Sequence, residues 1–266
     1  MSMEVLKNKI QITSSRQMLI RKGVSSTGSK FRSLLQRTGL INGLVLGDQV
    51  KSWDVLETLN FIEQHVQKNE PILDIGCYAS EIIIALHKAG YAALTGADLN
   101  PDLKKMPYQD SIHYENTNFM HTPFADASFK AITSISVIEH GFDAQALLKE
   151  MSRLLQPGGY FLASFDYWPE KIDTTGIKYF GMDWLIFSKQ DVANFVSKAA
   201  EHGLTPVGDL HYEGQDTPIE CGGQNRGSGY FRMRPIERGS SKGYLLPTSS
   251  ARSVGADPAS CSLEAS

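Results

Sequence analysis

Two acids and a glycine carry the first chemical signal in this chain. The stretch Pro71-Ile72-Leu73-Asp74-Ile75-Gly76-Cys77-Tyr78-Ala79-Ser80-Glu81-Ile82 passes from an apolar run into an acid, a glycine and a small-residue turn. Further on, Leu94-Thr95-Gly96-Ala97 ends in Asp98. Strand, glycine turn, helix, strand and acid is an arrangement that holds an adenosine-containing cofactor at the edge of a parallel sheet. The glycine lets the backbone approach a ligand, the helix start offers free N–H groups, and Asp98 can take both ribose hydroxyls. A nicotinamide dehydrogenase needs further glycines for the pyrophosphate, and here Tyr78 and Ser80 stand in their places. The turn therefore suits a cofactor without phosphate. Tyr78 must keep a negative φ and turn its ring aside or lay it over the cofactor, and Ser80 can cap the helix.

These residues need a sheet to hold them, and the apolar periodicity supplies one. Val55, Leu56, Leu59, Ile62 and Val66 recur at helical spacing and predict a helix over about 52–68. Ile72 to Ile75 is a buried strand after Pro71, and the helix carrying Ile83, Ile84 and Leu86 stops at Gly90. Strands follow over 91–98, 111–117 and 131–138, then a helix over 143–155 ended by Pro157-Gly158-Gly159, and a strand over 160–165. Ser188 and Asp191 form a capping box for a helix that ends at Gly203, and 204–212 is a further strand. Strand and helix alternate from 71 to 212, so the fold class is α/β with a doubly wound, mainly parallel sheet.

Four segments in this order resemble the class I S-adenosylmethionine-dependent methyltransferases of the small-molecule type with a single Rossmann-like domain. Leu73-Asp74-Ile75-Gly76-Cys77 is similar to the family's first motif, and Ala97-Asp98-Leu99 to the acidic end of its second strand. Asn118 to Phe129 resembles the loop that encloses the adenine. Ser136-Val137-Ile138-Glu139-His140 and Leu155-Gln156-Pro157-Gly158-Gly159-Tyr160 resemble the fourth-strand end and the turn into the fifth strand. The resemblance implies S-adenosyl-L-methionine as cofactor. Gly76, Cys77 and Tyr78 would face its methionine portion, with Asp74 orienting the loop. Asp98 would take the ribose, Leu99, Asn118 and Phe119 the adenine side, and Ser136 the methyl-transfer site. The family closes its sheet with an antiparallel last strand. The candidate here, 229–236, carries two arginines and a proline and is expected at an edge, not inserted.

Methyl transfer to a hydroxyl needs an aligned acceptor and a group that removes its proton. His140, directly after the fourth strand, and Asp166, just past the fifth, are the candidate bases; the alternatives are a histidine holding the neighbouring loop and a turn-forming aspartate. Glu139 is expected to orient the cofactor loop or the next helix. Tyr167, Trp168, Tyr179 and Trp184 fall on one loop and suit an aromatic acceptor cover, or simply pin that loop to the sheet. No Asn-Pro-Pro-Tyr or Asp-Pro-Pro-Tyr follows the fourth strand, which argues against methylation of bases or glutamine, and no metal spacing is present among the histidines.

The 266 residues are 41% hydrophobic and 21% charged, ordinary for a globular protein. The net charge of -3 gives no global attraction to nucleic acid or anionic membrane. No apolar run approaches the roughly 18 residues of a membrane span. Three cysteines form neither a disulfide framework nor a zinc pattern, so a reducing, cytoplasmic setting is expected. Eight Lys or Arg against one acid crowd residues 1–40. The expected organisation is a basic arm or lid over 1–47, partly disordered, a methyltransferase domain over 48–236, and a disordered Ser/Gly-rich tail over 237–266. The expected acceptor is a small molecule, through a hydroxyl of a glycan or specialised metabolite. Alternatives are an RNA methyltransferase that uses the basic arm, and a non-catalytic cofactor-binding module.

Overall fold

Alternation along the strands decides which helices meet which face of the sheet. The structure, a computed structural model, describes residues 3–26, 44–179, 181–213, 219–221 and 224–235. In chain order its elements are β1 (Met3–Val5), α1 (Lys9–Arg21), α2 (Ser52–His65), β2 (Ile72–Ile75), α3 (Ile82–Lys88), β3 (Leu94–Asp98), β4 (Ile112–Asn116), β5 (Phe129–Ile135), α4 (Ala144–Leu154), β6 (Leu155–Tyr167), β7 (Lys178–Tyr179), β8 (Met182–Asp183), α5 (Lys189–Glu201), β9 (Leu204–Pro206), β10 (Ile219–Cys221) and β11 (Gln224–Pro235). Short 3-10 turns at Gln49–Lys51 and Pro101–Lys105 complete it. Ile72, Leu94, Ala131, Leu162 and Tyr230 send their side chains to one face, against Leu19 of α1, Leu59 of α2 and Ile83 of α3. Their neighbours Leu73, Ile132, Phe161 and Phe231 turn to the other face, against Leu147 of α4 and Phe195 of α5. The result is helix, sheet, helix.

The sheet order is β4-β3-β2-β5-β6-β11-β1, with β9 and β10 also paired to β11. β2, β3, β4, β5 and β6 run parallel. The α/β, mainly parallel architecture is therefore as the alternation predicts. All the parallel strands end on one side, where ligands bind in open α/β sheets.

Three local expectations change. β11 is inserted, not an edge strand: it pairs antiparallel with β6 on one side and with β1 and β9 on the other. Its buried Arg232 is accommodated by Glu4 and Glu57 at 3.5 and 3.7 Å and by the Phe61 and Tyr230 rings, while Pro235 sits at the strand end, where little of the ladder is lost. Gly229 is required there, because a Cβ would lie 2.8 Å from the Phe165 ring. Pro157-Gly158-Gly159 does not stand between helix and strand. It lies inside β6, which begins directly at Leu155, and it absorbs a register shift against β5 between Phe129 and Ala131. The strand predicted over 204–212 is only Leu204–Pro206.

The described part of the basic N-terminal segment is ordered structure, not an arm. Met3 and Val5 are buried as β1 packs on β11, and α1 opens with a capping box between Asn8 and Gln11 and buries Arg16 and Leu19. The rest of the predicted arm, 1–2 and 27–43, and the predicted tail, 237–266, lie outside the described residues. Among the described residues no helix is long and apolar enough to cross a membrane.

Candidate functional site

The glycine turn after β2 is shaped first by its neighbour. Gly76 has φ +66°, and a Cβ there would lie 2.4 Å from a Val137 methyl in the segment after β5. A side chain is excluded on both counts. Tyr78 keeps a negative φ, as expected, because the second left-handed residue of the turn is Ala79 at +60°. The Tyr78 ring is half-buried against the core face that holds α1 to α3. Its amide donates to Asp98 Oδ2 at 2.9 Å, and the Asn100 amide donates to Asp98 Oδ1 at 2.8 Å. Asp98 is thus clamped across the ends of β2 and β3, with lone pairs left on both oxygens. Beside it Leu99 is 60% exposed, unusual for an apolar side chain at a strand end.

Beneath the turn, Asp74 is buried and accepts from Thr133 Oγ1 at 2.7 Å. Burial raises its carboxyl to about 7, opposed by hydrogen bonds from Thr133 and Ser80 and assisted by the Asp98 charge. α3 starts after Glu81 without a side-chain cap, which corrects the expected capping role of Ser80. Cys77 is fully buried against Gly96, and burial next to Asp74 and Asp98 pushes its thiol up, away from reactivity. At the end of β4, exposed Asn118 accepts from the Met120 amide at 3.0 Å, and Phe119 is half-buried against the opposite core face.

A second group of polar side chains lies at the ends of β5 and β6. Ser136 has φ +57° and donates its hydroxyl to Glu139 Oε1. Glu139 is fully buried, with Lys51 Nζ 4.0 Å from the same oxygen. Lys51 lies closer to Asp166 Oδ1, at 3.1 Å, and the Trp184 indole donates to Asp166 Oδ2 at 2.8 Å. In the first turn of α2, buried Asp54 accepts from Ser228 Oγ of β11 at 2.5 Å. Burial raises the Glu139 carboxyl to about 8, with the Asp166 charge adding and Lys51 and Ser136 opposing. Asp54 is raised as well, chiefly by burial. Among the described residues, Lys51 is the ammonium beside the buried Glu139 and Asp166 carboxyls, and its charge opposes the rise at Asp54.

Of the residues singled out in the sequence, Asp74, Gly76, Cys77, Tyr78, Asp98, Leu99 and Ser136 come together at the carboxyl ends of β2, β3 and β5, with Asn118 and Phe119 beyond β4. His140 is half-buried and bridges to Trp184 through its backbone, while the Leu185 amide donates to the Glu139 carbonyl at 2.8 Å. The four aromatics of the expected cover divide. Tyr167 belongs to β6, is fully buried, and donates its hydroxyl to the Tyr212 carbonyl at 2.8 Å. Trp184 is also buried and fixes Asp166. Trp168 is half-buried, and the Tyr179 side chain lies outside the described residues. Between 138–142 and the loop 171–176, with Trp184 in its wall, lies a cavity of about 430 Å³. Lys51, Asp54 and Ser228 went unsignalled in the sequence, since no motif surrounds them.

A further cluster anchors the glycine turn. Arg16 of α1 donates to Glu81 Oε1 and Oε2 at 2.7 and 2.8 Å and to Ser52 Oγ at 2.9 Å. The Gly47 amide donates to the Ala79 carbonyl at 2.8 Å. The site residues fit an adenosine-bearing cofactor: Asp74 Oδ2 is buried without a donor among the described residues, Asp98 keeps free lone pairs, and Leu99 offers apolar surface beside it.

The family model described as "Methyltransferase domain" matches residues 73–163, from β2 into β6. Over 138 residues the chain is 30% identical to the demethylmenaquinone methyltransferase of Staphylococcus epidermidis, covering 48% of this chain and 55% of that one. The chain thus spans about half the length of the curated relatives it matches. A solved structure of a putative sarcosine dimethylglycine methyltransferase from Galdieria sulphuraria aligns over 84% of this chain and 98% of its own, with a TM-score of 0.52 and 16% identity. The Burkholderia thailandensis 1,6-didemethyltoxoflavin-N1-methyltransferase, solved with S-adenosylhomocysteine, aligns over 69% and 79%, with a TM-score of 0.52 and 14% identity.

Proposed function

We propose that this chain, a member of the class I S-adenosylmethionine-dependent methyltransferases, methylates a small molecule at a hydroxyl oxygen. The observation that carries the reading is the meeting of two arrangements at one end of the sheet. One is the Gly76 turn clamped to Asp98, and the other is the Ser136-Glu139-Lys51-Asp166 network beside it. When bound, S-adenosylmethionine supplies an electrophilic methyl group on a sulfonium. In this reading the backbone at Gly76, Cys77 and Tyr78 holds its methionine portion and Asp74 fixes the turn. Asp98 accepts from the ribose hydroxyls through its remaining lone pairs. Leu99 and Phe119 pack on the adenine, and Asn118 Oδ1, which has a second lone pair, accepts from its amino group.

The acceptor side falls to Ser136 and His140. His140, half-buried at the rim, is the base we assign to a hydroxyl acceptor. Asp166, with both oxygens engaged by Lys51 and Trp184, acts as a positioning residue. The relatives' names span a quinone precursor and a ring nitrogen, so the oxygen acceptor rests on the proton-handling groups of this chain. The RNA alternative is weakened because Arg16 and Lys22, two of the N-terminal cations, are spent on Glu81 and Glu63.

Calorimetry with S-adenosylhomocysteine, followed by mass spectrometry of a panel of hydroxylated small molecules incubated with the donor, tests the proposal. Binding together with a methylated hydroxyl product is the expected result. Absence of cofactor binding would sink the reading. Binding without product on any acceptor would favour a non-catalytic module.

A further inference from the structure

The segment from β4 to β5 carries Asn118 and Phe119 and has no helix or strand of its own over 117–128. An open loop of that kind keeps much of its chain entropy unless its backbone is tied down. α4 supplies the tie. Its Leu147, Leu148, Met151 and Leu154 are fully buried, which makes the helix a fixed platform. From that platform buried Glu150 accepts from the Thr122 amide and hydroxyl through Oε1, at 2.8 and 2.7 Å. Arg153 holds the same carboxylate through Nε at 2.9 Å and Nη2 at 2.7 Å. Its Nη1 donates onward to the Phe124 carbonyl at 2.8 Å and to Asp126 Oδ1 at 2.7 Å. The Ala127 amide closes on the Arg153 carbonyl at 2.9 Å. Burial works to raise the Glu150 carboxyl, but hydrogen bonds from Arg153 and Thr122 prevail and hold it at about 2. The carboxylate is therefore charged at every pH near neutrality.

An i,i+3 pair on an open helix face would serve α4 alone. This one is aimed at the loop, and its burial makes it a poor source of net stability. What it fixes is backbone, at Thr122, Phe124 and Ala127. Just upstream, the His121 amide donates to the Asn118 carbonyl at 2.9 Å, and the Met120 amide to Asn118 Oδ1 at 3.0 Å. The turn that carries Asn118 thus abuts the clamped Thr122, and the Met120 amide fixes which end of the Asn118 side chain is oxygen. We propose that Glu150 and Arg153 are positioning residues for the adenine end of the cofactor: they hold the 118–124 loop so that Asn118 reads the purine amino group. This rests on the reading of the site as one for S-adenosylmethionine. Phe119, Met120 and Phe124 pack on the face of α4 and α5 and set the depth of the loop. The ionic clamp fixes its backbone along α4, and so decides how well the protein tells adenine from hypoxanthine. Both residues act through the loop and not on the ligand.

Calorimetry with S-adenosylhomocysteine and S-inosylhomocysteine tests this, because a carbonyl replaces the purine amino group in the second ligand. The wild-type protein is expected to bind the adenine ligand about tenfold or more tightly, the effect of one polar partner left unpaired. Glu150→Ala is expected to cut that preference by about threefold or more, by weakening the adenine ligand alone. A purely structural role would lower both affinities by one common factor, through the folded fraction, and leave the ratio unchanged. A ratio retained within about twofold in Glu150→Ala overturns the proposal. Should that variant not fold, Arg153→Lys decides by the same criterion: it keeps a cation beside Glu150 but loses the guanidinium fork. A wild-type protein without preference also overturns the proposal, and leaves the methyltransferase reading intact while S-adenosylhomocysteine binds. Failure of both ligands to bind overturns that reading and the proposal with it.

Discussion

Two buried charge clusters flank the start of α2, and they are built in opposite ways. In the first, Arg16 places two guanidinium nitrogens on the two Glu81 oxygens and a third on Ser52, and the Ser26 amide also donates to Glu81 at 2.7 Å. The guanidinium meets the carboxylate fork to fork. In the second, Lys51 faces Asp166 and Glu139 with Asp54 behind, and buried oxygens of Glu139 and Asp54 lack donors among the described residues. The Arg16 cluster joins α1 to the turn before α3 and fixes position. The second lies where the chemistry is proposed, and burial raises its Glu139 and Asp54 carboxyls. The two clusters meet in sequence at the adjacent residues Lys51 and Ser52.

The contrast breaks most visibly at Arg16. Arg16→Met takes the guanidinium away from buried Glu81, which costs about 3–5 kcal/mol; urea unfolding measures it, and a loss below about 1 kcal/mol would remove the Arg16 cluster from its structural role. Next in size is Asp98→Ala, which belongs to the cofactor side. Calorimetry should show S-adenosylhomocysteine binding weakened by about 1.5–3 kcal/mol, the range for hydrogen bonds to a charged group. Unchanged affinity would take Asp98 out of the ribose role.

The Lys51 cluster makes a smaller, pH-dependent prediction. The folded-state value of Glu139 is raised from 4.5 to about 8. Its contribution to stability is therefore fully present below the unfolded value and is lost as pH rises through about 8. Asp74, raised from 3.8 to about 7, acts in the same direction over a lower window. Unfolding free energy should fall between about pH 5 and 8, and Glu139→Gln should flatten that fall by up to about 1.4 kcal/mol per pH unit, the slope of one proton. Equal slopes in both proteins would show Glu139 ionised throughout.

The sequence discloses those parts of this arrangement whose causes are local. Ile72, Leu73 and Ile75 put apolar side chains on both faces of a run bounded by Pro71 and Gly76, so strand and turn are both legible there. Ser188 and Asp191 announce α5 by their capping box, which forms as written. Asp98 is found because it ends a strand. What the sequence hides is made by distant partners. Lys51 meets Asp166, and Asp54 meets Ser228, across separations of 115 and 174 residues that no periodicity records. β11 looked like an edge because Arg232 looked solvated; Glu4 and Glu57, from β1 and α2, make its burial tolerable. Pro157-Gly158-Gly159 has the composition of a terminator, yet β5 pairs along both sides of it and turns it into a bulge. Tyr167 was misplaced by the two residues by which β6 outruns the predicted strand.

Those two residues give the smallest effect and a check on the boundary between scaffold and site. The Tyr167 ring packs with Phe165 among the fully buried side chains, and its hydroxyl reaches the Tyr212 carbonyl beyond β9. Removing only the oxygen in Tyr167→Phe deletes one neutral hydrogen bond, worth about 1 kcal/mol, and leaves the carbonyl to find water. Thermal unfolding should register that loss, while the affinity for S-adenosylhomocysteine should stay within about twofold, a difference under about 0.5 kcal/mol. The opposite pattern, with stability intact and cofactor or acceptor binding weakened, would return Tyr167 to the ligand-facing side and move the limit of the site inward to Phe165.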